Sequence, residues 1–233
     1  MSRITLALAT VLSLSFSHVN AQDINKGIDA YKAGDYATAI KKWKPFAVLG
    51  DATLQFNIGT IYASKDAFID YDKALKWYRL SAFQDFPNAQ VNLGKMYEEG
   101  KGVPKDYATA VAWYTLAAEQ ELASAQYNLG QMYRKGNGVL KDLSETMKWY
   151  KLSAEQGFAD AQNNIGAAYM LGEGVLKDNI TAHMWFNIAS ANGHKKAGGW
   201  RDELSALMTA DAVQKATAMA RECMNSNYKK CGW

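Results

Sequence analysis

Two groups of side chains near the C-terminal end of this chain have types and spacings that could do chemistry. Ser226-Asn227-Tyr228-Lys229 has the Ser-x-x-Lys spacing. On one helical turn that spacing brings a lysine amine beside a serine hydroxyl and could activate it for acyl transfer. Cys223 and Cys231, the only cysteines, stand eight residues apart and could form a disulfide, hold a metal or exchange electrons. His183 and His194 supply the imidazoles that general acid–base catalysis most often uses. Each chemistry lacks its companions. Neither Ser-Asp-Asn nor Lys-Thr-Gly occurs, and a pattern with two fixed letters arises readily by chance. No Ser-His-Asp set, metal-ligand spacing or phosphate-binding glycine loop is present. No cofactor and no metal are therefore expected. The cysteines lack a Cys-x-x-Cys spacing and neighbouring histidines, so a disulfide is the expected fate of the pair in an exported chain. His194 is expected just beyond a helix end, where a cationic side chain suits the dipole.

Export is expected from the N-terminus. Arg3 precedes an apolar run from Ile4 to Phe16, and a more polar stretch then ends in Val19-Asn20-Ala21. This is the pattern of a signal peptide over 1–21, with the cut between Ala21 and Gln22. The apolar run, about 13 residues, falls short of the roughly 20 that span a bilayer. The residue directly after the cut is Gln22 and not cysteine, and no later segment is long and apolar enough to cross a membrane. Loss of Arg3 takes the formal charge from +3 to +2. Lys41, Lys42 and Lys44, and the pair Lys195-Lys196, read as solvated helix surface, so nucleic acid is not an expected partner.

The elements that must position any site announce themselves by repetition. Trp43, Trp77, Trp113, Trp149 and Trp185 are separated by 34, 36, 36 and 36 residues. The phrase Ala89-Gln90-Val91-Asn92-Leu93-Gly94-Lys95-Met96-Tyr97 returns from Ala125 to Tyr133 and from Ala161 to Tyr169, with a looser copy from Gln55 to Tyr62. Asp35-Tyr36-Ala37-Thr38-Ala39 matches Asp106-Tyr107-Ala108-Thr109-Ala110 letter for letter. Within a unit the apolar positions Tyr107, Ala110, Val111, Tyr114, Ala117 and Ala118 recur with a 3.6-residue period, the mark of an amphipathic helix. Asp106, Asp142 and Asp178 stand where an N-cap carboxylate would accept first-turn amides. Gly100-x-Gly102-Val103, Gly136-x-Gly138-Val139 and Gly172-x-Gly174-Val175 read as tight turns between helices, with the valine packing inward. Gly59, Gly94, Gly130 and Gly166 fall inside the first helices, which points to close approach of the two helices of each pair, with Ala82, Ala118 and Ala154 opposite.

The phrases Ala-Gln-x-Asn-Leu-Gly-x-Met-Tyr, Gly-x-Gly-Val-x-x-Asp and Trp-Tyr-x-x-Ala-Ala resemble the Sel-one-like repeat (SLR) family, a relative of the tetratricopeptide repeat. The resemblance implies an all-α fold, a right-handed superhelical solenoid of antiparallel helix hairpins. Its concave face, lined mainly by the first helices, would bind a partner protein or peptide without catalysis. Exported bacterial relatives are linked to envelope maintenance, host contact or signalling, which implies a periplasmic or secreted protein. Some cysteine-rich relatives are described as β-lactamases or penicillin binders, so a hydrolase of that type is the alternative. The paired cysteines that those relatives carry in each repeat are absent here. Two units depart from the pattern. The Asn57 unit has Ala63 to Asp70 in place of the glycine turn, and the first unit has a short connection through Gly34.

The expected organisation is a repeat region over 22–196, in helix pairs 24–50, 51–87, 88–123, 124–159 and 160–196, followed by a C-terminal cap over 197–233. In the cap Leu204, Leu207, Met208, Ala212, Val213, Ala216, Met219 and Ala220 mark two amphipathic stretches that break near Thr209, with Gly198-Gly199-Trp200 as the joint. A terminal helix of this kind covers the apolar face that the last repeat would otherwise expose. Residues common to every unit belong to the stack. Asn57, Asn92, Asn128 and Asn164 are read as satisfying backbone groups between hairpins, and the tryptophans as core. Function is then expected at positions that the repeat leaves free: Lys95, Glu98, Gln131, Arg134 and Lys135, with Met170 and Leu171 as an apolar end. The mature chain is expected to be a monomer.

Overall fold

Asp35, Asp51, Asp70, Asp106, Asp142 and Asp178 each accept a hydrogen bond from a first-turn amide, and a helix begins after every one of them. A carboxylate there pairs an otherwise orphaned donor and meets the positive end of the helix dipole. The computed structural model describes residues 21–232, and within them the secondary structure is helical throughout. The expected signal segment lies outside the described residues up to position 20. Ala21 and Gln22, flanking the expected cut, are exposed at the start of the first helix.

The helices are α1 (21–32), α2 (Tyr36–Val48), α3 (Ala52–Ser64), α4 (Tyr71–Ala82), α5 (Pro87–Glu99) and α6 (Tyr107–Glu119). They continue with α7 (Ala123–Lys135), α8 (Leu143–Ala154), α9 (Ala159–Leu171), α10 (Asn179–Ala191), α11 (Ala197–Ser205) and α12 (Ala210–Asn225). The chain divides into two compact units between Ala89 and Gln90, inside the first turn of α5. Pro87 is the first residue of α5, where a missing amide costs nothing. Pro45 lies inside α2, within its last turn, and not at a break.

In the N-terminal unit Ala39, Trp43, Ala47, Leu54, Ile58, Ile61 and Trp77 form the core. The unit's irregular connection, Ala63 to Asp70, contains a 3₁₀ turn at Asp66–Phe68. Beside it the Lys65 ammonium lies 5.6 and 5.1 Å from the ring centres of Tyr31 and Tyr36.

In the C-terminal unit α7 pairs with α8 and α9 with α10, while α11 and α12 both pack on α10. The two glycines of each turn take left-handed φ, 70° and 72° at Gly136 and Gly138, and 76° and 74° at Gly172 and Gly174. A side chain at the second glycine would run into the start of the preceding pair's second helix, at Tyr107 for Gly138 and Leu143 for Gly174. Val139 and Val175 pack against the core as the pattern implied.

The mid-helix glycines mark close approach, but not to alanine. A Cβ at Gly59, Gly94, Gly130 or Gly166 would lie 2.7–2.8 Å from the ring of Tyr78, Tyr114, Tyr150 or Phe186. That ring follows Trp77, Trp113, Trp149 or Trp185 by one residue, and it is buried in every case, at 2, 0, 1 and 1% exposure. Trp43, Trp77 and Trp185 are buried too, whereas Trp113 and Trp149 are only half-buried. Two reasons explain the correction. A ring seated on glycine is covered by backbone on one face, and the preceding residue points about 100° away around the helix.

Inter-hairpin bonds come from the glutamine two residues before the repeated asparagine. Gln55, Gln126 and Gln162 are buried, and their Nε2 atoms donate to the carbonyls of Ala47, Ala118 and Ala154 at 2.8, 3.3 and 3.0 Å. Each Oε1 accepts from an amide at the end of its own hairpin: Gln84 to Gln55, Gln156 to Gln126 and Asn192 to Gln162, with Gln120 to Gln90 between. The result is one buried amide rung in each of the hairpins α3–α4, α5–α6, α7–α8 and α9–α10.

The cap closes the last rung. Cys223 and Cys231 form a disulfide. Inside its loop Asn227 and Tyr228 hold left-handed φ of 53° and 64°. Tyr228 thereby reaches Asn192, accepting from Nδ2 at 2.8 Å and donating to Oδ1 at 3.0 Å. Thr209, at the expected break, caps α12. Two cap readings need correction. Leu207 is 80% exposed, because α11 ends before it. The joint is the turn at 192–196, with Gly193 at φ 90°, while Gly198 and Gly199 lie within α11. The His194 amide closes the end of α10 on the Ala189 carbonyl at 2.9 Å, while its ring serves the next helix. Its Nδ1 accepts the Ala197 amide at 3.1 Å and so caps α11.

Candidate functional site

Subtracting the residues that hold rungs, rings and turns leaves the solvent-facing positions of the first helices α5, α7 and α9. Their hydroxyl-bearing floor comes from the second helices, since each tyrosine seated on a glycine extends its phenol past the backbone toward that face. In the N-terminal unit the Tyr78 hydroxyl lies 3.2 Å from Thr60 Oγ1. In the next hairpin Tyr114 donates to the Glu98 carboxylate at 2.7 Å. Burial, and then that carboxylate, holds the Tyr114 phenol well above its usual range.

One repeat further the partner changes sign. Arg134 occupies the register of Glu98, and Tyr150 that of Tyr114. The Tyr150 hydroxyl accepts from Asn164 Nδ2 of α9 at 3.3 Å. Burial pushes the Tyr150 phenol up to about 12, against the opposing pull of the Arg134 guanidinium and the Asn164 amide. Arg134 is itself held in place. Its Nε donates to Gln131 Oε1 at 3.1 Å, and Gln131 Nε2 donates to the Tyr127 hydroxyl at 2.8 Å. Tyr127 stacks on Tyr150, with ring centres 5.8 Å apart and planes at 23°. A cavity of about 50 Å³ opens here, lined by Arg134, Tyr150, Asn164, Leu171 and the α8 side chains Thr146 and Met147.

The structure thus brings Gln131, Arg134 and Leu171 of the expected set to one place. Lys95 is exposed on α5, and Lys135 is exposed at the end of α7. Glu98 is half-buried and committed to Tyr114. Met170 does not extend an apolar end of this face: it packs with the α10–α11 core of Ala182, Phe186, Ala189, Ala197 and Leu204. Its neighbour Leu171 is 61% exposed. Asn164, read from the sequence as a backbone-satisfying amide, instead lines the cavity and bonds a side chain. In the sequence Tyr127 has the look of core and Tyr150 that of a repeat mark. The signal that finds them is the charge reversal from Glu98 to Arg134 above an unchanged tyrosine.

The Ser-x-x-Lys residues serve the chain end. Ser226 Oγ donates to the Cys223 carbonyl at 2.8 Å and accepts the Lys230 amide at 2.9 Å. His183 is buried with Nε2 2.9 Å from Ser205 Oγ. Among the described residues no helix is long and apolar enough to cross a membrane, and no cluster of metal-ligating side chains occurs.

Residues 54–85, 87–122, 123–158 and 159–194 each match the Sel1 repeat. A Sel1 repeat protein of Oxalobacter formigenes is 30% identical, over 88% of this chain and 86% of that one, with a TM-score of 0.74. A protective antigen of uropathogenic Escherichia coli strains, displaying an SLR fold, is 28% identical over 90% of this chain, with a TM-score of 0.53. The similarity covers 55% of the antigen, so this chain spans about half its length. A sel1 repeat protein of Klebsiella pneumoniae subsp. pneumoniae shares the fold at 18% identity, over 80% of this chain and 93% of its own, with a TM-score of 0.52. No curated protein matches the chain.

Proposed function

Because the chain belongs to the Sel1 repeat family, we propose that it is a non-catalytic scaffold that captures a protein or peptide on the face of its first helices. Sel1 repeat proteins are generally protein-interaction scaffolds. The observation that carries the reading is the contrast between two classes of position. Glycines, seated rings and amide rungs recur from hairpin to hairpin and are consumed in packing. The register that Lys95 and Glu98 occupy in α5 changes to Gln131 and Arg134 in α7, and to Ala167 and Met170 in α9. Variation on a rigid, repeated platform is how such a scaffold acquires a specific partner.

The partner belongs to the compartment outside the inner membrane in this reading. The N-terminal Arg3-to-Ala21 pattern supports export, and so does the Cys223–Cys231 disulfide, since such bonds persist in oxidising compartments. Affinity capture from the source organism's envelope tests the proposal. A Lys95→Glu/Lys135→Glu variant is expected to lose the partners that the native chain retains. A Lys148→Glu/Lys151→Glu variant, altered on α8, is expected to keep them. Equal capture by all three proteins would refute the assignment of the face.

A further inference from the structure

The neighbouring repeats hold three versions of one arrangement. At Tyr114 the phenol donates to a carboxylate that the chain itself supplies, Glu98. At Phe186 both members are apolar, since Met170 stands in the register of Glu98 and the ring carries no hydroxyl. At Tyr150 the hydroxyl remains and the carboxylate is replaced by Arg134. Around it the donors now outnumber the acceptors. The Tyr150 oxygen already receives Asn164 and lies under the pull of the Arg134 guanidinium, whose Nε donates to Gln131. Arg134 is in no ion pair among the described residues. The acidic side chain that lines this cavity is Glu173, exposed and unpaired with Arg134. The Tyr127–Gln131 relay fixes the guanidinium, so its position does not depend on a ligand being bound.

We infer that the cavity between α7, α8 and α9 is a carboxylate-binding pocket, which takes a carboxylate of a peptide partner in the place where Glu98 sits one repeat earlier. The inference rests on the peptide-capture reading above and names the chemistry of one subsite. The size fits. One water needs roughly 10–15 Å³ on this scale, so about 50 Å³ holds a few waters or one carboxylate, and not a ring. Arg134 supplies charge and a planar fork, Tyr150 and Asn164 supply neutral donors, and Leu171 with Met147 offers apolar flanks for the residue that bears the carboxylate. The same chemistry can come from a chain terminus or from an Asp or Glu side chain.

The test uses the mature chain and four probes: sodium acetate, and three pools of acetylated pentapeptides built from Ala, Leu, Ser and Thr. One pool ends in a free carboxylate, one is amidated, and one is amidated but carries a central Glu. The readouts are the Arg134 Nε–H and Asn164 side-chain amide resonances, with affinities from their titration. Acetate is expected to move both resonances saturably. One or both acid-bearing pools are expected to bind at least about tenfold tighter than the acid-free amide, in keeping with a charge-assisted contact. Which of the two binds tells terminus from side chain. Arg134→Ala, at an exposed position, is expected to erase the difference between pools, and Arg134→Lys to keep part of it. Tyr150→Phe, which copies Phe186, is expected to weaken acid binding several-fold while leaving the fold intact. Equal binding of acid and amide pools would overturn the pocket. So would resonances that stay still at concentrations saturating millimolar sites, or an acid preference that survives Arg134→Ala. Partner loss in the Lys95/Lys135 variant would still stand in each of these cases, so the two readings fail separately.

Discussion

Replacing glycine by alanine inside a helix is expected to have opposite signs at two positions of this protein, and the pair tests the seated-ring account directly. In a helix interior alanine is favoured over glycine by about 1 kcal/mol. At Gly199, in α11, an added Cβ meets nothing within 4 Å, so Gly199→Ala should realise part of that gain, a few tenths to about 1 kcal/mol. At Gly130 the same methyl would lie 2.7 and 2.8 Å from Cδ1 and Cε1 of Tyr150. Carbon contacts settle near 3.5–4.0 Å, so the ring must retreat by roughly 0.7 Å or more. It has little room, being 1% exposed and stacked on Tyr127. Overpacking of this kind costs about 1–3 kcal/mol, and a displaced phenol gives up part of a bond to Asn164 that is worth about 1 kcal/mol. The strain wins, by about 1–2 kcal/mol net. Thermal melts followed by circular dichroism should place Gly130→Ala several degrees below the native chain and Gly199→Ala level with or above it, at roughly 2–4 °C per kcal/mol. Shifts of the same sign at both positions would refute the argument.

Three further outcomes follow from the same structure. Gln162→Leu removes a buried rung, orphaning the Ala154 carbonyl, and should cost about 1–3 kcal/mol in urea unfolding, whereas exposed Gln214→Leu should be neutral within about 0.5 kcal/mol. Cys231→Ser opens a nine-residue loop whose closure contributes a little under about 3 kcal/mol on the chain-entropy model. Hydrogen exchange at α12 and around Asn192 should quicken as Tyr228 is released, and unchanged protection would count against the cap. The third concerns acid. Ser205 spends its hydroxyl proton on the Arg201 carbonyl, so His183 Nε2 must be the donor to Ser205, which leaves Nδ1 a buried bare acceptor. Burial, with repulsion from Arg201, lowers the His183 pKa below its ordinary 6.5, and Asp202 opposes the shift. The unfolded chain therefore takes up a proton that the folded one resists, and stability falls as pH drops through about 6.5 but not above it. The melting temperature should decline from pH 7.5 to 5.5, and His183→Met should flatten that slope; an equal slope in both proteins would remove His183 from the account.

The periodic part of this structure was legible because rigid packing repeats its demands. Tryptophan spacing, N-cap aspartates and the Gly-x-Gly turns each report a local rule, and local rules survive in sequence. Assignments that depend on which way a side chain points were harder. Gln126 and Asn128 recur together, and nothing in the letters says that the first reaches the neighbouring carbonyl; about 200° of helical rotation separates them. Met170 and Leu171 are adjacent, yet the cap covers one and leaves the other in solvent, which depends on α11 and not on α9. The candidate pocket was illegible for a third reason. Arg134, Tyr150 and Asn164 come from three helices, and each alone conforms to its register. Their meaning appears only when the Glu98–Tyr114 pair is placed beside them.

The amide rungs bear on how such an array changes length over evolutionary time. The Gln126 rung draws on its own hairpin and on the last helix of the one before, so duplicating the α7–α8 unit reproduces every donor and acceptor. Growth by unequal crossing-over is thus silent to the interior. The terminus is different, because Asn192 replaces the Gln of every earlier rung and its remaining capacity goes to a tyrosine in a cross-linked tail. A unit appended after α10 would inherit an occupied docking surface and a shortened amide. The array can gain or lose members from within, while its end is fixed by the cap that α10 carries and by the shorter amide of Asn192.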